Sequence, residues 1–480
     1  MALSELLHPG FQSLLAFLHI LLGLTASWHA LLTKRDPRAA MGWIGTCLLF
    51  PFGGTLLYFF FGINRIAASA RRTRERVGLT ENATIHPSDN GAIPAEGAGV
   101  LPRLTRIGTK VTGLPLQSGN EITMLRTGED AYAAMLDAID TAEHCVCLET
   151  YIFMADAVGE RFIDALVRAA RRGVTIRVII DGVGEWYSKR RVSRMLRARG
   201  IQALRFLPPR LFPPARFINL RNHRKLLLID DRLAFLGGMN ISAHHLSNAA
   251  VKHCVVDRHF RVQGQVVAQL SDVFLEDWRF AGGERFAPMY QRADIVCANA
   301  WCRTIVDGPD RESGRIMSVL EAALSAAEQR VQIMTPYFLP PLDLLGELRS
   351  AALRGVHVTL LLPALNNIPV VHWAAQHILG ELLAVGVDVR LQPPPFVHAK
   401  LFVVDGRYTV IGSANLDSRS LRLNFEMQLE VFDDDFARTL ANECDRAAVS
   451  ATPLTRATLE ARSLFERTRD AICWLFSPYL

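Results

Sequence analysis

The sequence of 480 residues predicts an α/β protein in which one domain, a mixed sheet covered by helices, occurs twice and follows two transmembrane helices. Three observations support this prediction. Segment 1–66 contains two long apolar stretches without a formal charge. Beyond residue 115 the order of helices and strands repeats, and a His-x-Lys-x4-Asp spacing occurs at the equivalent place in each repeat.

The N-terminal segment, 1–66, is predicted to be a membrane hairpin with spans at about 12–33 and 41–62. Neither stretch contains Asp, Glu, Lys or Arg, and each has about 22 residues, enough to cross a hydrocarbon layer of ~30 Å at 1.5 Å per residue. A secretory signal fits poorly, because no basic segment precedes the first stretch and a second stretch follows at once. A buried hairpin in a soluble core is the remaining alternative.

Segment 67–114 is predicted to be a linker and an amphipathic lead-in, because 77–100 is poor in large apolar residues and rich in Gly, Ala, Pro and Asn. Arginines after the second stretch favour a cytoplasmic location for the C-terminal bulk, although the turn at 34–38 is also basic. These arginines are Arg65, Arg71, Arg72, Arg74 and Arg76.

The overall composition limits the class of partner only loosely. The net charge of +6 and the pI of about 9.0 suit anionic partners such as lipid headgroups or nucleic acid, but they are also typical of an ordinary soluble surface. The eight cysteines are scattered, without a CxxC pair or a zinc-type Cys/His spacing. We therefore expect reduced, structural thiols in a cytosolic compartment.

The sequence repeat defines two predicted α/β domains, 115–290 and 291–480. CVCLETYIF and ARRGVTIRVIIDG in the first copy match VQIMTPYFL and ALRGVHVTLLLPA in the second. Apolar runs of strand length, 174–180 and 356–362, follow helical segments that end at Gly173 and Gly355, where glycine suits the position after a helix. The matched order predicts one catalytic unit with a pseudo-twofold relation between its halves.

The repeated motif provides the predicted catalytic residues: His223, Lys225, Asp230, His398, Lys400 and Asp405. The chain has only six lysines among its 53 basic Lys and Arg residues, so two chance copies at equivalent positions are very improbable. LLLI and LFVV after the lysines have the pattern of buried strands, and residues i and i+2 of an extended chain face the same side. Each histidine is therefore predicted to face one site together with its lysine.

These residue types suit phosphodiester transfer without a metal or another cofactor. A neutral imidazole can attack phosphorus, and a second, protonated imidazole can donate a proton to the leaving oxygen. The lysines, together with Asn240, Ser413 and Asn415 after the next strand, can hold the non-bridging oxygens. The sequence shows no carboxylate cluster of the kind that binds a divalent metal.

Two further carboxylates align between the repeats: Asp257 in VVDRHFRV and Glu426 in NFEMQLEV. A carboxylate on Nδ1 of a histidine fixes the tautomer and favours the imidazolium form. The alternative is an ordinary strand charge, which weighs equally for Asp257, whereas for Glu426 the functional role is favoured.

On these motifs the sequence resembles the phospholipase D superfamily and, within it, the bacterial cardiolipin synthases. KRDPRAAMGW, ETYIF, RNHRKLLLIDDR, MTPYFLP, HAKLFVVDGRYTVIGSANLDSRS and LNFE carry the resemblance, which covers nearly the whole chain. It implies two tandem phospholipase D-like α/β/α sandwich domains. It also implies a multi-pass protein of the bacterial inner membrane with cytoplasmic catalytic domains.

The resemblance further implies transfer of a phosphatidyl group between two phosphatidylglycerol molecules, which yields cardiolipin and glycerol through a phosphohistidine. By the family pattern His223 is the nucleophile and His398 the acid/base. The implied partners are phospholipid substrates and the bilayer, not nucleic acid. A phospholipase D-type hydrolase would use the same residues with water as acceptor. A superfamily nuclease is disfavoured by the apolar stretches, and a non-catalytic lipid-binding scaffold by the two intact motifs.

Overall fold

The computed structural model describes residues 9–34, 36–50, 52–62, 100–209, 220–247, 254–286, 298–308 and 314–477. The chain divides into two compact units, Met1–Ser69 and Ala70–Leu480. Three parts of the prediction lie outside the described residues: the linker up to residue 99, the arginines after the second apolar stretch, and the boundary between residues 290 and 291.

The first unit is a short helical assembly. Helix α1 (Pro9–Thr33) is followed by α2 (Pro37–Leu49), α3 (Gly53–Leu57) and a π-helical turn (Tyr58–Gly62). Among the described residues, only the helix at Gly10–Thr33 is long and apolar enough to cross a membrane. A small buried cluster of Ala26, Ala30, Cys47 and Tyr58 joins the helices, while most large apolar side chains of α1 are exposed.

The structure interrupts the helix that is expected over the second apolar stretch, 41–62. Helix α2 ends at Leu49, Phe50 is extended (φ −108°, ψ 105°), and Phe52 has a positive φ of 54°. The sequence explains the break, because Pro51 lacks the N–H that a helix interior needs and is followed closely by Gly53 and Gly54. A count of apolar residues does not detect this interruption.

The first copy of the repeat lies in the second unit. Its strands are β1 (Gln117–Leu125), β2 (Cys145–Thr150), β3 (Thr175–Asp181), β4 (Gln202–Phe206), β5 (Leu226–Ile229), β6 (Leu233–Gly237), β7 (Val255–Val256) and β8 (His259–Gly264). Its helices are α4 (Val100–Thr112), α5 (Gly128–Thr141), α6 (Ala157–Arg171), α7 (Val192–Ala198) and α8 (Val266–Phe280), with 3-10 turns at Gly184–Tyr187 and Ala243–His245.

The second copy repeats the main strands and helices of the first and has further short elements. Its strands are β9 (Ala300–Asp307), β10 (Arg330–Met334), β11 (Phe338–Leu339), β12 (His357–Pro363), β13 (Asp388–Gln392), β14 (Phe396–Val397), β15 (Leu401–Val404), β16 (Tyr408–Gly412), β17 (Leu416–Asp417), β18 (Glu426–Phe432) and β19 (Thr452–Pro453). Its helices are α9 (Arg315–Ala326), α10 (Leu342–Leu353), α11 (Pro369–Ala384), α12 (Ser418–Arg422), α13 (Asp434–Ser450), α14 (Arg456–Glu460) and α15 (Leu464–Leu475).

One mixed sheet of fifteen strands runs through both copies, in the order β19-β13-β12-β10-β15-β16-β18-β9-β1-β8-β6-β5-β2-β3-β4. Starting from the central β9–β1 pair, each half has the same order of equivalent strands, and β2-β3-β4 and β10-β12-β13 are the parallel parts. The predicted duplicated α/β fold with a pseudo-twofold relation is therefore confirmed.

Local sequence accounts for the repeated elements. Alternate residues of β2 and β3, such as Val146, Leu148 and Val178, share one buried cluster with residues of α5, α6 and α7, as the two-residue period of a strand requires. Gly173 and Gly355 follow α6 and α10 with φ values of 93° and 91°, a region that glycine adopts without a steric penalty.

Candidate active site

The backbone of each motif histidine is attached to the other copy of the repeat. The N–H of His223 donates to the carbonyl of Phe425 at 2.9 Å, and Phe425 immediately precedes Glu426. The N–H of His398 donates to the carbonyl of Val256 at 2.6 Å, within the short parallel pair of β14 and β7. These links place His223 next to Glu426 of the second copy and His398 next to Asp257 of the first copy.

Each histidine ring is held by that carboxylate. Both oxygens of Glu426 lie 3.1 Å from Nδ1 of His223, and Oδ2 of Asp257 lies 2.7 Å from Nδ1 of His398. Because a carboxylate only accepts hydrogen bonds, Nδ1 of each ring carries the hydrogen and Nε2 is the nitrogen left for chemistry. Both histidine side chains are 12% exposed, so a ligand can reach them.

Lys225 and Lys400 are buried beside the two rings. Nζ of Lys225 donates to the backbone oxygen of His223 at 2.6 Å. Nζ of Lys400 lies 2.8 Å from Nδ1 of His398 and 4.0 Å from Oδ2 of Asp257. Burial lowers the pKa of Lys225 to about 7 and that of Lys400 to about 8, against the opposing effect of the site carboxylates.

The two copies share one electrostatic environment. Burial lowers the pKa of His223, and the charges of Lys225 and Lys400 add to this shift while Glu426 opposes it. Burial and Lys400 lower the pKa of His398 to about 3, with a smaller contribution from Lys225 of the other copy. Each ring therefore senses the lysines of both motifs, as expected if both motifs form one site.

The two carboxylates are held in different ways. Glu426 is completely buried and accepts hydrogen bonds from Ser413 Oγ at 2.6 Å, Ser420 Oγ at 2.6 Å and Asn424 Nδ2 at 3.0 Å. Burial alone would raise its pKa, but the charges of His223 and Lys225 and these donors hold the pKa at about 2.

Asp257 lacks this set of donors among the described residues. Its Oδ1 accepts from the N–H of Arg258 at 2.7 Å, and Lys400 and His398 lower its pKa against the effect of burial. A side chain at Gly238, the position equivalent to Ser413, would place Cβ 2.3 Å from Oδ2 of Asp257. Only a residue without a side chain at position 238 leaves space for the carboxylate of Asp257.

The structure does not bring Asp230 and Asp405 to the histidines. Asp230 accepts from the N–H groups of 143–145 at 2.8 to 3.0 Å, and Asp405 from those of 328–330 at 2.7 to 3.0 Å. Each aspartate lies five positions after its lysine along an extended chain, which corresponds to roughly 16 Å. Both aspartates have positive φ, 52° and 51°, and fix equivalent turns at the far end of β5 and β15.

The predicted substrate-binding residues have mixed placements. Asn240 accepts from the N–H of Ile152 at 3.2 Å through Oδ1, and among the described residues nothing engages its Nδ2. Asn415 is buried, with Oδ1 unpaired within the part of the chain that is described. The backbone N–H groups of Gly238 and Ser413 donate to carbonyls of the neighbouring chain segments, and Ser413 Oγ is committed to Glu426.

A buried charged network lies behind His223. Arg224 is fully buried and bonds to the carboxylate of Asp277, the carbonyl of Asp307 at 3.1 Å and the carbonyl of Glu426 at 3.2 Å. Asn222 donates to the carboxylate of Glu149, whose pKa is raised well above its usual value by burial and by Asp277. The backbone of the nucleophile candidate is thus fixed by polar contacts on both sides.

Asp181 adds a second part to this network. Its carboxylate accepts from the N–H of Asn222 at 2.9 Å and from Arg221 at 3.2 Å. In the second copy the residues beside His398 are Phe396, Val397 and Ala399, which carry no charge. The surroundings of the two histidines therefore differ although their backbones match.

Two tyrosines that the sequence analysis did not select form walls of the site. The ring of Tyr151 lies 5.3 Å from that of His223, and the ring of Tyr337 lies 5.9 Å from that of His398. Both stand at the same place in the repeat, in ETYIF and TPYFL, so alignment of the two copies contained the signal. Ser420 and Asn424 had no such signal, because only the folded chain places them on Glu426.

Within the described residues, no group of three or more His, Cys, Asp or Glu side chains is placed to hold a metal ion. The chemistry available in the site is that of two imidazoles, two ammonium groups and two carboxylates. Imidazoles with a fixed tautomer can act as nucleophile and as acid/base, and the ammonium groups can bind a phosphate anion.

Known protein families and a solved structure are similar to this chain in sequence or in fold. A family model described as cardiolipin synthase, PLD-like domain, matches 135–278 and 320–448, and a model described as phospholipase D-nuclease N-terminal matches 14–62. The crystal structure of phosphatidylserine synthase from Haemophilus influenzae superposes with a TM-score of 0.62 and 16% identity. It covers 79% of this chain and 100% of that chain, and it shows that the fold is shared.

Two relatives refine the class. A cardiolipin synthase of Geobacillus thermodenitrificans is 30% identical over 94% of this chain and 90% of its own length. A cardiolipin synthase of Oceanobacillus iheyensis is 29% identical over 98% of this chain and 100% of its own. The chain is thus an enzyme of the phospholipase D superfamily. It belongs to the cardiolipin synthase family with PLD-like domains.

Proposed function

We propose that the protein transfers a phosphatidyl group from one phosphatidylglycerol to a second, giving cardiolipin and glycerol through a phosphohistidine on His223. The crossed pairing of His223 with Glu426 and of His398 with Asp257 is the observation that carries this proposal. It leaves two Nε2 atoms for reaction in one site, and the relatives named cardiolipin synthase supply the substrate class.

In the first half-reaction, Nε2 of His223 attacks phosphorus and the bond from phosphorus to the glycerol headgroup oxygen breaks. Nε2 of His398, protonated, donates its proton to that oxygen, and glycerol leaves. Glu426 accepts the Nδ1 hydrogen of His223 and stabilises the positive charge that develops on the ring. In the second half-reaction, His398 removes a proton from a headgroup hydroxyl of the second phosphatidylglycerol, whose oxygen displaces His223.

A bound phosphodiester brings a negative charge between the two histidines and the two lysines. Its negative charge favours the ammonium forms of Lys225 and Lys400, whose pKa values burial lowers to about 7 and about 8. The same charge favours the imidazolium form of His398, whose pKa is low in the unliganded site. Substrate binding therefore shifts His398 toward the protonated form that the first step needs.

The location that fits this activity is the cytoplasmic membrane, with the N-terminal unit as a multi-pass anchor and the catalytic unit on the cytoplasmic side. Helix α1 has the length and composition of a span. Five arginines in the segment after Gly62 support the cytoplasmic side. A cysteine introduced at an exposed position such as Ala384 should react with a membrane-impermeant maleimide only in inverted vesicles, and reaction in right-side-out vesicles would contradict this orientation.

The activity is tested with the purified protein, phosphatidylglycerol and a chelator, with products followed by mass spectrometry. Cardiolipin together with an equal amount of free glycerol is the expected result. Phosphatidic acid in place of cardiolipin would replace the proposal with the hydrolase. His223→Asn and His398→Asn should each lower the rate by about 10⁴-fold or more, because each removes a group that acts in both half-reactions.

An aryl phosphodiester separates the two roles. Its leaving group departs as a stable phenolate and needs no acid, so His398→Asn should still release a burst of phenolate and retain phosphate on His223. His223→Asn should give neither. The reversed pattern would exchange the roles of the two histidines, and a burst with both variants would contradict a covalent histidine intermediate.

A further inference from the structure

Two equivalent loops of the repeat expose large apolar side chains. The 3-10 turn Gly184–Tyr187, which follows β3 of the first copy, carries Trp186 and Tyr187, whose exposures are 57% and 60%. The loop after β12, the equivalent strand of the second copy, carries Leu365 and Ile368, whose exposures are 68% and 42%. Both copies therefore present apolar side chains to solvent at the same place in the repeat.

Both loops contact the tyrosine walls of the site. The ring of Tyr187 lies 6.2 Å from that of Tyr151, which stands beside His223. Burial raises the pKa of Tyr337, and the nearby Tyr187 adds to this shift, so Tyr187 is close to the second wall as well. The hydroxyl of Tyr337 donates to Oδ1 of Asn367 in the loop after β12 at 2.8 Å. The four exposed apolar residues thus form a rim at the opening through which a ligand reaches the histidines.

The loops turn their polar side chains inward and their apolar side chains outward. Glu185 is buried and accepts from the N–H of Ser193 at 2.9 Å. Asn366 donates from Nδ2 to the carbonyl of Pro336 at 2.9 Å and accepts from the N–H of Ile368 at 2.8 Å. This is the reverse of the usual arrangement in a loop that faces water, where polar side chains are exposed. Ordered loops with clustered, exposed apolar side chains indicate an apolar partner.

Basic residues accompany the aromatic pair of the rim. Lys189, Arg190 and Arg191 follow Tyr187 within four positions and are exposed, and Arg190 bonds to the carboxylate of Glu160. Trp and Tyr next to Lys and Arg are typical of protein segments in the headgroup layer of a bilayer, and the positive charge complements anionic lipids. Protein–protein interfaces are, by contrast, depleted in lysine. The composition of the rim therefore favours a lipid surface over a second protein.

We propose that the rim inserts into the interfacial layer of a bilayer with anionic headgroups, with Lys189 and Arg191 on those headgroups. The site then opens at the membrane surface, and a phospholipid can place its phosphate at the histidines while its acyl chains stay in the hydrocarbon layer. The inference rests on the proposed function for the need to take a substrate from the bilayer. It gives the catalytic unit a membrane contact of its own, in addition to helix α1.

A photoreactive residue tests which partner covers the rim. Leu365 and Leu353 are a matched pair, because they are 68% and 70% exposed and have the seven-residue strand β12, roughly 23 Å long, between them. Benzoylphenylalanine takes the place of either leucine in the full-length protein, which is reconstituted in vesicles of phosphatidylcholine and phosphatidylserine and illuminated. Mass spectrometry should find phospholipid adducts at position 365 and only background levels at position 353.

Equal adducts at both positions, or none at position 365, would overturn the proposal. Crosslinks from position 365 to a second copy of the chain would overturn it in favour of a contact between protein molecules. In vesicles of phosphatidylcholine alone, the yield at position 365 should fall severalfold, because the basic residues lose their anionic partner. An unchanged yield would overturn the preference for anionic lipid.

Removal of apolar side chains from the rim provides a kinetic test. The double variant Trp186→Ser/Leu365→Ser should lower kcat/KM on phosphatidylglycerol in vesicles by about tenfold, whereas the control Leu353→Ser should stay within about twofold of wild type. On an aryl phosphodiester in solution, both variants should stay within about twofold of wild type. An unchanged value on vesicles would contradict the proposal, and so would an equal loss on both substrates, which would indicate damage to the site.

Failure of the proposed function has a different signature, because the adducts require neither phosphatidylglycerol nor a reaction. A protein that forms adducts at position 365 but makes no cardiolipin would retain the membrane contact and lose the proposed activity. A protein that makes cardiolipin without such adducts would retain the activity and lose the membrane contact.

Discussion

The two copies of the repeat share their backbone plan and differ in what surrounds each histidine. Around His223, Arg224 and Asp181 belong to a buried network of charges. Around His398, the equivalent places hold uncharged residues such as Ala399 and Pro363. Duplication preserved the geometry needed for two imidazoles, while the residues packed around each histidine diverged.

The difference teaches that the reacting groups can be symmetric while the residues packed around them are not. The strand order, the positive-φ aspartates and the crossed carboxylates are common to both halves, so they serve requirements that both histidines have. Among the described residues, the charged network surrounds His223 and has no equivalent beside His398, so it serves a requirement of the first histidine alone. Substitutions made in matched pairs across the copies can separate these two groups of features.

The largest effect is expected for the crossed carboxylates. Glu426→Gln and Asp257→Asn should each lower kcat by roughly 10²- to 10⁴-fold, because the amide no longer fixes the Nδ1 tautomer of the opposite histidine or stabilises its charge. Steady-state rates with phosphatidylglycerol, together with the aryl phosphodiester burst, provide the measurement. Glu426→Gln should reduce the burst, whereas Asp257→Asn should spare it and slow the transfer to the acceptor.

Identical burst behaviour in these two variants would show that the histidines are interchangeable, and it would contradict the assignment of different roles to His223 and His398. Thermal unfolding of both variants is the control. A variant that has lost its fold would lose activity on every substrate, whereas a folded variant should lose activity only in the step that its histidine serves.

A smaller effect is expected at the residues that support these carboxylates. Gly238→Ala places a methyl group about where Asp257 now stands and should lower kcat up to roughly 10²-fold by displacing it from His398. Ser413→Ala, at the equivalent position, should lower kcat less than about tenfold, because Ser420 and Asn424 still hold Glu426. Equal losses in the two variants would mean that the carboxylates are held alike.

The smallest catalytic effect is expected at Asp230 and Asp405. Asp230→Asn and Asp405→Asn keep a residue type that tolerates positive φ but remove one acceptor oxygen from a turn that uses three N–H donors. Each variant should lose about 1–3 kcal/mol of unfolding free energy and keep kcat within twofold where it is folded. Denaturant unfolding and initial rates provide the measurement, and a tenfold loss of kcat without a loss of stability would return these aspartates to the chemistry.

The sequence was sufficient for features that depend on local pattern. LLLI and LFVV are the buried strands β5 and β15, and glycines end the equivalent helices, because strand burial and helix termination are set by neighbouring residues. The helix expected at 41–62 is interrupted after Leu49, and the apolar composition of this stretch does not encode the break.

Contacts between residues that are far apart in the sequence could not be predicted from the sequence. Alignment of the repeats paired Asp257 with Glu426 but did not indicate that each serves the other copy's histidine, across 141 and 203 residues of sequence. The same holds for Ser420 and Asn424, which only the folded chain places on Glu426. Tyr151 and Tyr337 are an intermediate case, since their equivalence in the repeat is visible and their closeness to the histidines is not.

The crossed carboxylates have a consequence for how such a protein arises and how it is inherited. Neither half carries a complete set of reacting and orienting groups for its own histidine, so a single ancestral half could have worked only as a pair that exchanged these contacts. Fusion of two halves makes the exchange permanent within one chain. A substitution at Glu426 or Asp257 then disables the opposite half, and the two copies can no longer evolve as separate proteins.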